Sequence, residues 1–160
     1  INTSAKIMTV KTIMKKCMVV TSAIDVDYSK PLTYSAVRSA FSSEERLSQT
    51  IETIRTLNLY CDENTTIYLL VVADCPGKYY DQFAAKNLVY VDYIKQFPNE
   101  YEKIRTHPNK THCEVMMQKT FFEHYDSELK QYDYFFKISG RYFIDSSFNF
   151  ELCVEENIDK

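Results

Sequence analysis

The chain has 160 residues but only 2 glycines, where average usage would give about 11. P-loop and dinucleotide folds need several glycines clustered at one strand–helix turn so that backbone can approach a pyrophosphate; Gly77 and Gly140 lie far apart, which excludes both loops. Hydrophobic residues at 45% and charged residues at 26% fit one folded core, and a net charge of −3 gives no case for a nucleic-acid binder.

Lys16–Ile24 is a short apolar, β-branched run flanked by charge, the pattern of a strand buried in a parallel sheet. Asp25–Phe41 is polar, carries Pro31 and lacks periodicity, so it reads as a loop. Ser42 with Glu45 three residues on fits a capping box, and Leu47, Ile51, Ile54 and Leu57 form one apolar stripe, so a helix starts at Ser42 or Ser43. Asp62–Thr65 is a turn and Thr66–Ala73 a second buried strand. Pro76-Gly77 breaks the chain, after which Lys78–Lys86 is expected to be a short helix and Leu88–Val91 a third strand. Pro98 and Pro108 bracket a loop or a single short helix. Thr111–Tyr125 is helical by its spacing, and Tyr132–Ile138 is a last strand leading into Ser139-Gly140-Arg141. Strands alternating with helices predict a single α/β domain over residues 1–160, a mainly parallel sheet flanked by helices.

Open α/β sheets bind ligands beyond the carboxyl ends of their strands. That rule selects Thr21–Asp27, Asp74–Lys78 and Lys137–Asp145. In the last of these, Lys137 and Arg141 flank Ser139-Gly140; two cations and a hydroxyl around a residue without a side chain suit a phosphate or carboxylate, and equally suit a salt-bridged strand end. Asp25 and Asp27 could hold Mg²⁺ or Mn²⁺, or simply form a solvated turn. Arg38, just ahead of the capped helix, either reaches a ligand over the helix N-terminus or pairs with Glu44 or Glu45. His112 beside Cys113 suggests zinc or a nucleophile pair, but neighbouring helical side chains point about 100° apart, so a surface histidine is the better reading. Glu114 and Lys119 share that helix at an offset that makes neither a sharp catalytic candidate.

Five cysteines, Cys17, Cys61, Cys75, Cys113 and Cys153, form an odd set without a CxxC pair. They read as reduced thiols in the cytoplasm, not as a disulfide scaffold or zinc site. The sequons at Asn2, Asn64 and Asn109 are the counter-signal toward a lumenal or secreted setting. No run approaches the ~20 apolar residues of a membrane span, and residues 1–16 are too basic and interrupted for a signal peptide, which leaves a peripheral membrane association open.

The order of MVVTSAI, RSAFSSEERLSQTIETIRTL, TIYLLVVADC and DYFFKISGRYFID resembles a group of bacterial and viral glycosyltransferase-like proteins of the GT-A class, over about Cys17 to Phe150. The most specific pieces are R-S-x-F-S-x-E-E-R…Q-T and F-K-I-S-G-R-Y. The resemblance implies a nucleotide-sugar donor and a glycan or glycolipid acceptor, in polysaccharide biosynthesis. Thr21, Ser22 and Ala23 would meet the nucleotide, with Arg38, Asp74, Ser139 and Gly140 completing the donor site. Lys137 and Arg141 would stabilise the departing phosphate, and Asp145 or Asp74 would deprotonate the acceptor. Where that class carries a D-x-D metal motif, this chain has K-I-S-G-R, so the expectation is transfer without a D-x-D-bound metal, with Mn²⁺ or Mg²⁺ an open option. Domains of that class run longer, so a fuller C-terminal acceptor region is expected to be lacking. The alternatives are a non-catalytic nucleotide- or sugar-binding module, and a phosphate-handling hydrolase centred on Asp25 and Asp27.

Overall fold

A computed structural model describes residues 13–27, 29–73 and 76–155. Its order is β1 (Lys16–Ala23), α1 (Ser43–Tyr60), β2 (Thr65–Val72), β3 (Leu88–Asp92), α2 (Tyr93–Gln96), α3 (Pro98–Thr106), α4 (Lys110–His124), α5 (Asp126–Leu129), β4 (Tyr134–Ser139) and α6 (Phe150–Glu155). The described strands form one parallel sheet in the order β3-β2-β1-β4. The domain is α/β, as its alternating pattern predicts.

Sheet order follows from burial and handedness. β1 and β2 are apolar on both faces, which fits central strands covered by helices on both sides. From β1 to β3 the chain steps one way across the sheet; it then crosses back to lay β4 against the far side of β1. Because parallel crossovers are right-handed, steps in opposite directions put their helices on opposite faces. Val20, Leu69 and Val71 accordingly pack with Ile54 and Leu57 of α1. Val19, Tyr68 and Leu70 pack with Ile104 of α3 and with Met117 and Phe121 of α4.

α1 begins as expected. Ser42 Oγ accepts from Glu45 N at 3.2 Å while the Glu45 carboxylate accepts from Ser42 N at 2.8 Å, so both halves of the capping box are made. Two expectations need correction. Lys78–Lys86 is not a helix but two 3₁₀ turns, Pro76–Lys78 and Tyr80–Gln82. Tyr79 and Phe83 are drawn into the core on the α1 side, and so short a segment has little helical stability of its own. The segment between Pro98 and Pro108 is the single short helix that its sequence allows, α3; α2 precedes it and is split off at Phe97, whose φ −137° and ψ 59° lie outside the helical region because Pro98 follows. The last strand begins at Tyr134, since Tyr132 turns to place its hydroxyl 3.3 Å from that of Tyr68.

Cys17, Cys61, Cys113 and Cys153 are free thiols, and burial pushes Cys17 and Cys61 up to about 12, where neither ionises at neutral pH. No helix among the described residues is long and apolar enough to cross a membrane.

Candidate anion-binding site

The sheet reverses its direction of growth between β1 and β4, and a cavity of about 150 Å³ opens beyond their carboxyl ends. Such a volume is below the usual range for a whole small-molecule site, and could enclose only part of a ligand of that size. Its floor is Thr21, Ser22 and Ala23 of β1 with Ser139, Gly140 and Arg141 after β4. The walls come from Arg38 and Ser39, from Arg46 of α1, from Ile104 and Arg105 of α3, and from Lys110, Glu114 and Met117 of α4. The two motifs singled out in sequence, R-S-x-F-S-x-E-E-R and F-K-I-S-G-R-Y, therefore build one site, although about 90 residues separate them.

Three threonines on α1 make that junction. Thr50, Thr53 and Thr56 are buried, and at three-residue spacing they lie along one flank of the helix. Thr50 Oγ1 lies 3.3 Å from the Gly140 carbonyl, Thr53 Oγ1 donates to the Tyr142 carbonyl at 2.6 Å, and Thr56 Oγ1 accepts from Ile144 N at 3.4 Å. Residues 140, 142 and 144 are thus tied to α1, and Arg141 is left on the cavity side. Within the helix, Thr50 Oγ1 donates to the Arg46 carbonyl at 2.8 Å, and Thr53 Oγ1 lies 3.0 Å from that of Gln49, so its single proton is shared between two carbonyls.

Gly140 is a glycine for a packing reason. A Cβ there would stand 3.1 Å from Ser22 Cβ and 3.1 Å from Thr50 Oγ1. Ser22 and Thr50 are themselves joined at 2.7 Å between hydroxyls. The expected cradle for a phosphate is instead a close approach of β4, β1 and α1, and Ser22 spends its hydroxyl on Thr50. Thr21 faces the other way and donates to Glu114 Oε1 at 3.0 Å.

Arg38 is 4% exposed and acts as a clasp. It donates to the Lys30 carbonyl at 3.2 Å and to the His107 carbonyl at 2.9 Å, binding the loop after β1 to the α3–α4 connection. It does not pair with Glu44 or Glu45, because Glu45 is engaged in its own cap. Lys137 forms an ion pair with Glu114 Oε1 and reaches the cavity only through it. Asp145 does not line the cavity: its carboxylate accepts from Ser147 N at 2.8 Å, and the Ser147 hydroxyl bond holds its pKa below the ordinary aspartate value. Asp74 lies outside the described residues. Asp25 does line the cavity and accepts from the Tyr79 hydroxyl at 3.1 Å, whereas Asp27 accepts from Ser29 N at 3.0 Å and sits 4.0 Å from Arg105. The two carboxylates have separate partners. His112 stacks on His107, ring centroids 4.2 Å apart. Among the described residues, no group of three or more His, Cys, Asp or Glu side chains is placed to hold a metal ion.

Charge is the dominant property. Arg38, Arg46, Arg105, Lys110 and Arg141 line the cavity, against Asp25 and Glu114. Lys110 and Arg141 form no ion pair with any described residue. Burial lowers the Lys110 pKa below the ordinary lysine value, and the charges of Arg46, Arg141 and Arg38 lower it further. Burial by itself would raise the Glu114 carboxyl, but hydrogen bonds from Lys137 and Thr21, with the charges of Lys137 and Arg141, outweigh it and hold the group ionised. A lysine whose charge is opposed in this way by neighbouring arginines is poised for an anion.

No protein family, curated protein or solved structure matches the chain.

Sequence reasoning missed Lys110, Glu114 and Arg46. A usable signal existed for the first two. Lys110 and Glu114 are four residues apart at the start of α4, one turn apart on one face, whereas Lys119 is five residues beyond Glu114 and off that face.

Proposed function

We propose that this cavity binds the phosphate of a nucleotide-activated sugar, and that the chain transfers the sugar to a glycan or glycolipid acceptor without a D-x-D-bound metal. One observation carries the reading: Lys110 and Arg141, without carboxylate partners among the described residues, stand beyond the carboxyl ends of the two strands that flank the sheet's reversal. Arg141 offers a planar fork to phosphate oxygens and Lys110 a point charge, so both stabilise a departing phosphate. The GT-A resemblance supplies the sugar half of the proposal.

The test is calorimetry with a panel of nucleotide sugars, with EDTA and with Mn²⁺, on the wild type and on Arg141→Ala, followed by assay of released nucleotide. Loss of a charge-assisted contact should weaken donor binding ~10–100-fold while leaving the melting curve in place. Equal affinity in the two proteins would remove Arg141 from the site. A binding module without turnover is the second reading; it is favoured by the fact that the cavity's carboxylates, Asp25 and Glu114, already accept hydrogen bonds from Tyr79 and Thr21. Donor binding without nucleotide release would select it.

A further inference from the structure

Glu114 has an asymmetry that neither the fold nor the ion pair requires. Thr21 and Lys137 both donate to Oε1. Oε2 takes no hydrogen bond from any described residue, although the side chain lines the cavity and remains 38% exposed. The carboxylate is ionised, and its position is held from two strands, β1 through Thr21 and β4 through Lys137. Lys110 stands one helical turn before it on the same face of α4. An anion seated on Lys110 and Arg141 would therefore have beside it a fixed, negatively charged acceptor. Inorganic phosphate keeps a P–OH near neutral pH, but giving it to that acceptor would turn one oxygen away from the cations and hold the remaining charge against the carboxylate. A phosphate ester with hydroxyl groups on nearby carbons would place its anionic end on the cations and an O–H on Oε2.

We infer that Glu114 Oε2 accepts a hydrogen bond from a ligand hydroxyl, and so makes the cavity selective for a sugar phosphate over inorganic phosphate. This rests on the reading of the cavity as a phosphate site and adds the group that would read the sugar. Hydrogen bonds to ionised acceptors are about twice as strong as neutral ones, enough for a preference of ~10-fold or more.

Calorimetry with inorganic phosphate and with the 1-phosphates of glucose, galactose and mannose tests it, using the wild type, Glu114→Gln and Glu114→Asp. At least one hexose phosphate should bind the wild type ~10-fold more tightly than phosphate. In Glu114→Gln, inorganic phosphate should bind about threefold more tightly, because the negative charge beside it is gone, and the hexose preference should collapse. Glu114→Asp keeps the charge but withdraws the carboxylate, so it should lose the preference without the gain in phosphate affinity; it also serves if the Gln variant folds poorly. Phosphate binding with no hexose preference, or a preference that survives in both variants, overturns the inference and leaves the anion site standing. No binding of any of the four compounds to the wild type overturns both.

Discussion

Adding one methyl group at Gly140 tests whether β4, β1 and α1 meet as closely as described. In Gly140→Ala the new Cβ would lie 3.1 Å from Ser22 Cβ and 3.1 Å from Thr50 Oγ1, closer than nine in ten such contacts in folded proteins. Neither neighbour can swing aside cheaply. Ser22 Cβ is fixed by the backbone of a central strand, and Thr50 is β-branched with its hydroxyl committed to Ser22 and Arg46. Overpacking of this kind costs about 1–3 kcal/mol, offset by about 0.4–1 kcal/mol because alanine restricts the unfolded chain. The net expectation is a loss of about 1–2 kcal/mol. For a chain of this length that lowers the melting temperature by roughly 2–8 °C. Urea unfolding of the wild type and variant measures it, and a Ser22→Gly background, which removes one of the two opposing groups, should recover part of the loss. A Gly140→Ala protein as stable as the wild type, or stabilised by the unfolded-chain term alone, would refute the close approach, and with it the reason for a glycine before Arg141.

Two further outcomes follow from the arginine clasp and the lysine. Arg38→Lys should destabilise the protein by about 1–3 kcal/mol and expose residues 30–40 to limited proteolysis, because one ammonium cannot span the Lys30 and His107 carbonyls as the guanidinium does; resistance equal to the wild type would mean that the clasp is not needed. For Lys110 the pKa of the empty site is lowered by burial and by Arg46, Arg141 and Arg38, so its charge is disfavoured below that pKa and the penalty fades as pH rises through it. A bound anion raises the pKa again; uridine diphosphate should therefore bind with proton uptake and weaken as pH rises through the lowered value. Calorimetry across the pH range below the ordinary lysine value of ~10.4, in buffers of differing ionisation enthalpy, reads the uptake, which Lys110→Met should abolish.

Local chemistry made much of the architecture legible. The capping box at Ser42 and Glu45, the stripe through Ile54 and Leu57, and the continuous apolar runs of β1 and β2 are written within a few residues of one another, at the spacing their hydrogen bonds demand. Segments without such autonomy were misread. Residues 78–86 have helix-compatible composition, yet Tyr79 and Phe83 answer to the core behind the sheet. The strand-end rule selected Thr21, Ser139 and Arg141, all of which line the cavity. It could not select Lys110 or Glu114, because they sit on a helix that contributes to the site only by folding over the carboxyl edge.

By itself, then, the sequence determined the α/β class, the capped helix and the two strand ends where ligands gather, since these depend on periodicity and on neighbours a few residues apart. Tertiary structure decided what those ends do. It spent Ser22 on Thr50, Arg38 on two carbonyls and Gly140 on clearance, and it left Lys110 and Arg141 without ion-pair partners among the described residues. Whether a charged side chain is a brace or a binding group depends on what stands within about 4 Å of it in space, and that distance is set by the crossing of helices over the sheet, not by position along the chain.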